Sequence, residues 1–229
     1  MIKIKKFDNG LTVAVHEMPQ MSSAAIGVWV NVGGRYENVK NSGISHFVEH
    51  MVFKGTENRT CQQIKEEIEG IGGYLNAFTS EEFTCYYAKS IGHEYKGIIN
   101  VLFDLVINPL FAKKDILQER HVIIEEIKMY LDLPMSYVHD MLDEIMWKGH
   151  PLGMSLTGTI KSVSYFTAGN AKVEFSGKAK YFFVIGLPLN KANALEALFE
   201  SMSMKIDDGR AIRKSDKGVI MVGYDYKYN

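Results

Sequence analysis

The segment that most restricts how this 229-residue chain can fold is GISHFVEHMVFKGT, at residues 43–56. A helix of 3.6 residues per turn puts its apolar residues on one face, namely Ile44, Phe47, Val48, Met51 and Val52. The same helix places His46 and His50 one turn apart on the other face, with Glu49 beside them. We therefore predict an amphipathic helix that begins near residue 42 or 44 and presents an HxxEH motif.

The spacing of these three polar residues is suited to metal-assisted hydrolysis. Two neutral imidazoles at i and i+4 can point their nitrogens at one divalent ion. Zinc lowers the pKa of bound water from about 15.7 to roughly 7, so a nearby carboxylate can take the proton of that water. Glu49 is then the general base in hydrolysis of a carbonyl compound. The alternative is that the triplet is only the solvent-exposed face of an ordinary helix.

A third ligand is expected from a second predicted helix, over residues 113–131. Its apolar stripe is formed by Ile116, Ile123, Ile127 and Tyr130. Glu119 and Glu126 project into the arc that should be buried, whereas Glu125 projects toward solvent. Because an unpaired buried carboxylate is costly and a nearby cation removes that cost, we expect Glu126 to be the third ligand.

Several motifs together resemble one known family. HFVEH, the flanking FKGT, the downstream GGYLNAFTSEEFTCYY and ERHVIIEEIKM are similar to the pitrilysin/insulinase metallopeptidases, which include the β subunit of the mitochondrial processing peptidase. Through the family pattern ER-x-V-x-x-x-E, the resemblance implies that His46, His50 and Glu126 hold Zn²⁺. It also implies two catalytic acids, Glu49 as general base and Glu119 as the residue that orients a metal ligand.

The segment of residues 74–79 has two interpretations. Its alternation predicts an ordinary hairpin strand, with Leu75, Ala77 and Thr79 on one face. In the family, the matching strand is a sheet edge that pairs with an extended substrate segment. The resemblance therefore implies that Asn76 and Ala77 bind a peptide substrate.

Family members usually contain two homologous domains that close around the substrate. This chain has the length of one, so we expect a single zinc-peptidase domain over 1–229 without the second homologous domain. The match is good over 2–165 and weaker over 166–229. The resemblance thus implies a homodimer, or a heterodimer with a homologous domain, as the active unit.

The order of predicted elements indicates the fold class. Strands are predicted within residues 1–10 and at 11–15, 24–32, 74–79, 83–89, 180–186 and 218–226. Beyond the two helices above, helices are predicted from 60 to 71 and at 94–107, 136–147 and 191–203, the first opening with a capping box at Thr60. Strands grouped first and helices grouped next predict an α+β fold, with helices packed on one face of a largely antiparallel sheet.

Composition excludes several partners and suggests a compartment. The net charge is −1 with no basic block, which argues against nucleic acid and against an anionic membrane surface. The longest apolar runs, 98–107 and 181–187, are too short to span a bilayer. The chain opens without a signal peptide or presequence, and Cys61 and Cys85 lack CxxC spacing, so a cytoplasmic protein with free thiols is expected.

Three functions fit these patterns. The first is a zinc endopeptidase that cleaves unfolded peptides or presequences, which the complete set of ligands favours. The second is a non-catalytic assembly or binding subunit, which predicts a degraded motif. The third is a small-molecule hydrolase or lyase of the S-ribosylhomocysteine-cleaving type, whose third ligand is a cysteine in a Gly-Cys context that neither Cys61 nor Cys85 provides.

Overall fold

A computed structural model of the chain describes residues 2–6, 12–171 and 181–187. The strands are β1 Ile2–Lys6, β2 Thr12–Glu17, β3 Ser23–Val30, β4 Tyr74–Thr79, β5 Thr84–Ile91 and β6 Tyr181–Leu187. The helices include α1 Ile44–Val52, α2 Cys61–Glu69, α3 Tyr95–Ile107, α4 Lys113–Leu131, α5 Pro134–Met146 and α6 Ile160–Ser164. The predicted helix at 191–203 and the predicted strand at 218–226 lie outside the described residues.

The predicted α+β class is confirmed. The strands form a six-stranded sheet in the order β1-β2-β6-β3-β5-β4. Neighbours run antiparallel except β2 and β6, which are parallel. The sheet is therefore largely antiparallel, and it is made from segments that the sequence predicted as strands.

The place of β6 could not be read from local patterns. β2 and β3 follow each other in sequence, but β6 lies between them and pairs with both through Ile185, opposite Val15 and Ile26. β3 ends at Val30 and β6 begins at Tyr181, so the two strands are far apart along the chain. Such a non-local pairing depends on which edge the folded sheet leaves free, and alternation within one strand does not report it.

Helices pack on one face of the sheet because alternate strand residues point that way. Val28 and its partner Tyr86 are both buried on the helix-facing side. They share one core with Phe47 and Met51 of α1 and Leu102 of α3. This core fixes α1 against the sheet, so the HxxEH residues occupy a defined position above β4 and β5.

β4 is the last strand at its end of the sheet. Its side chains alternate as predicted, with Leu75, Ala77 and Thr79 turned toward the helices and Tyr74 exposed on the other side. Within the described part of the chain, no strand pairs with its outer edge. Backbone groups of β4 are therefore available on the side next to α1.

The start of α1 is fixed by residues outside the helix. Gly43, which precedes it, has φ of +86°, and a β-carbon there would lie 2.4 Å from the carbonyl oxygen of Thr157. No side chain at the N-cap position accepts from the helix. Instead the buried carboxylate of Glu37 accepts from the backbone N–H groups of Gly43 at 2.6 Å and Ser45 at 2.8 Å.

α2 begins with a side-chain cap, whereas α5 lies largely exposed. The predicted capping box of α2 is confirmed, with the Thr60 and Gln63 side chains exchanging bonds with each other's backbone. α5 buries none of its residues, and Met135 and Ile145 are largely exposed. None of the helices among the described residues has the length and apolar character needed to cross a membrane.

The first prediction concerns Glu37. Glu37→Ala leaves the two buried N–H groups at the start of α1 without an acceptor and removes a negative charge from the positive end of the helix. We expect it to lower the free energy of unfolding by about 2–3 kcal/mol, measured by urea denaturation. Glu69→Ala, on the exposed end of α2, is the control and should stay within about 0.5 kcal/mol of wild type. Equal effects of the two substitutions would contradict the capping role.

Candidate metal centre

Three side chains meet where α1 contacts α4. One ligand atom each from His46, His50 and Glu126 lies within 4.8 Å of the others. The two carboxylate oxygens of Glu126 lie 3.7 Å from Nε2 of His46 and 3.7 Å from Nε2 of His50. Among the described residues this is the one group of three such side chains close enough to hold a metal ion. The structure thus brings together the three residues predicted as ligands, which are 80 positions apart at the extremes.

The phase predicted for α4 agrees with the observed burial. Glu119 is buried, with 2% of its surface exposed, and Glu125 is exposed on the opposite side. Glu126 is more open than the sequence suggested, since its side chain is 35% exposed. The reason is that Glu126 faces the two histidines at the mouth of the site instead of packing into the core.

A carboxylate behind the site holds His50. Its Nδ1 lies 3.1 Å from Oε2 of Glu119, and because a carboxylate only accepts, the imidazole donates from Nδ1. Nε2 of His50 is then the nitrogen with a free lone pair, and it is the atom that faces Glu126. The other oxygen of Glu119 lies 2.5 Å from Nζ of Lys54.

The environment of His46 differs from that of His50. Its Nδ1 is buried and has no hydrogen-bond partner in the described part of the chain. Burial lowers the pKa of His46 to about 4, and the neighbouring His50 acts in the same direction. The imidazole is therefore neutral near pH 7, which is the form that can bind a metal.

Glu49 lies beside the two histidines, and one of its carboxylate oxygens accepts a hydrogen bond from the hydroxyl of Thr79 in β4. Burial raises the pKa of the Glu49 carboxyl above its ordinary value, while the bond from Thr79 and the charge of His50 act against the rise. A carboxylate with a raised pKa is a better proton acceptor near neutral pH. The bond to Thr79 also ties the proposed base to the edge strand.

The residues present fit a zinc ion. Ligand atoms about 2 Å from one such ion lie roughly 3–4 Å apart, which agrees with the two separations of 3.7 Å from Glu126 to the histidines. Two imidazoles and one carboxylate leave a fourth position open, as hydrolytic zinc sites require. Zinc, when bound, would supply Lewis acidity at this point.

A cysteine ligand does not fit as well. Cys85 is buried, and burial raises the pKa of its thiol to about 12, with the charge of Glu49 adding to the rise. A metal-binding thiol must lose its proton, and this environment opposes that loss. Cys61 stands at the first turn of α2, and neither cysteine belongs to the group of metal-binding side chains.

Asn76 and Ala77, expected to bind substrate, lie in β4. The side chain of Asn76 is exposed; its amide donates to the hydroxyl of Tyr74 at 2.5 Å, and its oxygen accepts from the backbone N–H of Ala77 at 2.9 Å. The Asn76 side chain thus occupies the N–H of Ala77. The two residues stand on the strand that Thr79 joins to Glu49.

Three residues that shape the site were not predicted from the sequence: Glu37, Lys54 and Thr79. Glu37 lies in a loop that has no periodicity to place it. Lys54 is four residues after His50, a spacing that could have indicated a shared side of α1 if the helix had been extended past Val52. Thr79 was placed on the correct face of β4, but its contact with Glu49 depends on how α1 crosses the strand.

Comparison with known proteins gives the family. The model for insulinase, peptidase family M16, matches residues 12–160. The chain belongs to this family. The match contains both the segment with the two histidines and the segment with Glu126, so the geometry described above falls entirely within it.

Curated relatives share a large part of the chain. It is 40% identical over 172 residues to an uncharacterised zinc protease of Bacillus subtilis, an alignment that covers 75% of this chain and 42% of that protein. It is 42% identical over 170 residues to the β subunit of the mitochondrial-processing peptidase of Saccharomyces cerevisiae, covering 74% and 37%. The chain therefore spans about two fifths of the length of these relatives. The name of the Bacillus subtilis protein supports zinc as the cofactor.

Solved structures show the same fold at lower sequence identity. A protease from Helicobacter pylori superposes with a TM-score of 0.81 at 20% identity, covering 96% of this chain and 54% of that one. An inactive domain of an M16 peptidase from Pseudomonas fluorescens gives 0.80 at 14% identity, covering 95% and 54%. In both cases the chain corresponds to about half of the neighbour.

The second prediction separates the three acids of α4. Glu126→Gln removes a charged ligand atom and should weaken zinc binding most. Glu119→Gln disturbs only the orientation of His50 and should weaken binding about 10- to 100-fold. Glu125→Gln is the matched control, since this side chain points to solvent, and should leave the affinity unchanged. The measurement is competition for zinc with a chromophoric chelator, and a ligand-sized loss in Glu125→Gln would contradict the observed phase of α4.

Proposed function

We propose that this chain is the zinc-binding catalytic domain of an endopeptidase that hydrolyses unfolded peptides or presequences. The observation that carries the proposal is the meeting of His46, His50 and Glu126 with Glu49 beside them and hydrogen-bonded to the edge strand β4. Metal ligands, a base and an open strand edge are three parts that metal-assisted hydrolysis of an extended peptide can use. Family membership adds support, since curated relatives are named zinc proteases.

Each residue has a defined task in this proposal. His46, His50 and Glu126 hold the zinc ion, which would lower the pKa of a water molecule and polarise the substrate carbonyl. Glu49 accepts the proton of the attacking water and later delivers it to the leaving amine. Thr79 positions Glu49 through its hydroxyl, and Glu119 positions His50 through Nδ1.

The substrate is proposed to bind as an added strand along β4. An extended peptide can pair with the free backbone groups of an exposed sheet edge, and this pairing is nearly independent of sequence. The exposed carboxamide of Asn76 covers the N–H of Ala77, so it would release that N–H when a peptide pairs there. A folded protein offers no free extended segment, which is why unfolded peptides or presequences are the proposed substrates.

A second domain of the same fold is proposed to complete the active unit, as a homodimer or as a heterodimer with a homologous chain. The solved neighbours are about twice as long as this chain, which supports the pairing. β4 and α1 would form one wall of the proposed cleft, whereas holding an extended peptide and stabilising the developing oxyanion require groups on both sides. The partner would cover the Tyr74–Thr79 strand and enclose the cleft.

A non-catalytic assembly subunit is the competing function. One solved neighbour of this fold is titled an inactive domain, so the fold alone does not decide between the two. The gathered ligands and the adjacent base favour catalysis here. A small-molecule lyase is disfavoured by the environment of Cys85.

The third prediction tests the division between ligand and base. The purified chain should bind one zinc ion. His50→Ala should lose the metal, because a ligand is removed. Glu49→Gln should keep it and reduce peptide hydrolysis by roughly 10²- to 10⁴-fold, because only the proton acceptor is removed. Zinc content is measured by atomic spectroscopy on the same samples used for hydrolysis, and equal metal loss in both variants would refute the assignment.

The fourth prediction tests the need for a partner. Hydrolysis of an unstructured peptide by the zinc-loaded chain should be weak or absent at low protein concentration. It should rise with concentration if the chain forms homodimers, or on addition of a homologous subunit if it forms heterodimers. The mass of the assembly is followed by light scattering alongside activity. High activity from a demonstrated monomer would exclude the proposed partner.

A further inference from the structure

The two oxygens of the buried Glu119 carboxylate are used by different partners. Oε2 accepts from Nδ1 of His50 at 3.1 Å, and Oε1 lies 2.5 Å from the ammonium of Lys54. The Glu119 side chain is only 3% exposed, whereas that of Lys54 is 32% exposed. A single carboxylate thus connects a surface cation to an imidazole of the metal centre.

Lys54 is the principal partner of Oε1. This oxygen is buried, and apart from the ammonium no hydrogen-bond donor reaches it from the residues that the structure describes. A buried carboxylate oxygen without a partner carries a large desolvation cost. The position of Glu119, and through it that of His50, therefore depends on a cation that comes from outside α4.

The backbone that carries Lys54 is fixed on its C-terminal side. Gly55, the next residue, has φ of +136°, a conformation that other residues rarely adopt. Its carbonyl accepts from the backbone of Leu110 at 3.1 Å, and Thr56 donates from its hydroxyl to Asp104 at 2.5 Å. The loop is thereby attached to α3 and to the segment that follows it.

Asp104 holds this loop through several hydrogen bonds. It is buried in α3 and accepts from the side chains of Thr56, Asn58, Arg59 and Asn108. These donors lower the pKa of the Asp104 carboxyl against the opposing effect of burial. Three of the four donors belong to the loop after Lys54, so the loop has little freedom to move the lysine away from Glu119.

We propose that Lys54 is a positioning residue of the metal centre. It fixes the Glu119 carboxylate by ion pairing, the carboxylate fixes the ring of His50, and Nε2 of His50 is thereby aimed at the metal position. The inference rests on the proposed metal site, but it adds a residue for which neither the HxxEH motif nor the helix with Glu126 gives a role. Lys54 acts through Glu119 and does not touch the metal.

The fifth prediction is a measurement of zinc affinity on the full chain, with Zn²⁺ alone as the probe. Lys54→Met removes the charge at similar side-chain length and should weaken binding about 10-fold, within the range for groups that orient a ligand. Lys54→Arg keeps a cation that can pair with Glu119 and should recover most of the loss. Lys128→Met breaks a lysine–glutamate pair of the same type on the exposed side of α4 and should have no effect.

A double variant tests the route of the effect. If Lys54 acts through Glu119, adding Lys54→Met to Glu119→Gln should change zinc affinity by less than about twofold, because the connection is already broken. Independent, additive losses would overturn the proposal. The thermal unfolding of the metal-free variants is measured in parallel. A drop in Lys54→Met large enough to account for the lost affinity would make its role structural and would also overturn the proposal.

The outcomes separate this inference from the function proposed above. If the wild-type chain holds no zinc, the metal site itself is wrong. If the wild-type chain and Lys54→Met bind zinc equally, the metal site stands and only the positioning role of Lys54 is refuted. The role is supported if Lys54→Met weakens zinc binding, if Lys54→Arg recovers most of the affinity, and if Lys54→Met has no further effect in the Glu119→Gln background.

Discussion

Contact between α1 and α4 is the arrangement on which the rest of the site depends. The two helices bury apolar stripes in the same core, with Phe47 and Met51 from one and Ile123 and Ile127 from the other. Packing in a protein core is dense and tolerates little displacement, so the polar residues beside these stripes are held in fixed positions. Nε2 of each histidine and the carboxylate of Glu126 meet because the apolar residues next to them are held in place.

Buried charge is the second constraint, and the site meets it by pairing. Glu119 would be costly as an isolated carboxylate in the core, yet it lies between the ammonium of Lys54 and the imidazole of His50. The carboxylate of Asp104 is likewise paired, because it accepts hydrogen bonds from four side chains. Glu119 and Asp104 therefore each join chain segments that are distant in sequence, and the contacts of Glu119 lie directly behind the metal ligands.

The open edge of the sheet connects the metal centre to the proposed substrate. β4 carries Thr79, which holds Glu49, and on the same strand it carries Asn76 and Ala77. In the proposed binding mode, a peptide aligned along this strand would lie close to Glu49. The two solved neighbours are about twice as long as this chain, which is consistent with the proposed pairing with a homologous domain.

Features that depend on neighbouring residues could be predicted from the sequence, because helix and strand geometry alone sets the direction of their side chains. The apolar repeat of α1, the phase of Glu119, Glu125 and Glu126 on α4 and the capping box at Thr60 each involve residues within a few turns of one another, where helix geometry alone sets direction. The same holds for the alternation of β4. The family motifs indicated the same set of metal ligands, and the roles of these residues remain proposals.

Tertiary structure decided what no local period encodes. β6 inserts between β2 and β3 because the pairing of sheet edges is settled by the assembled fold. Lys54 meets Glu119, Glu37 meets the start of α1 and Thr79 meets Glu49, each across a turn or between elements whose crossing is set by core packing. The sequence alone thus determined which residues could bind a metal. Only the packing of α1 against α4 and β4 decided which other residues hold the metal-binding side chains in position. The reason is that those contacts join different segments of the chain, and the distance between segments along the chain does not determine their distance in space.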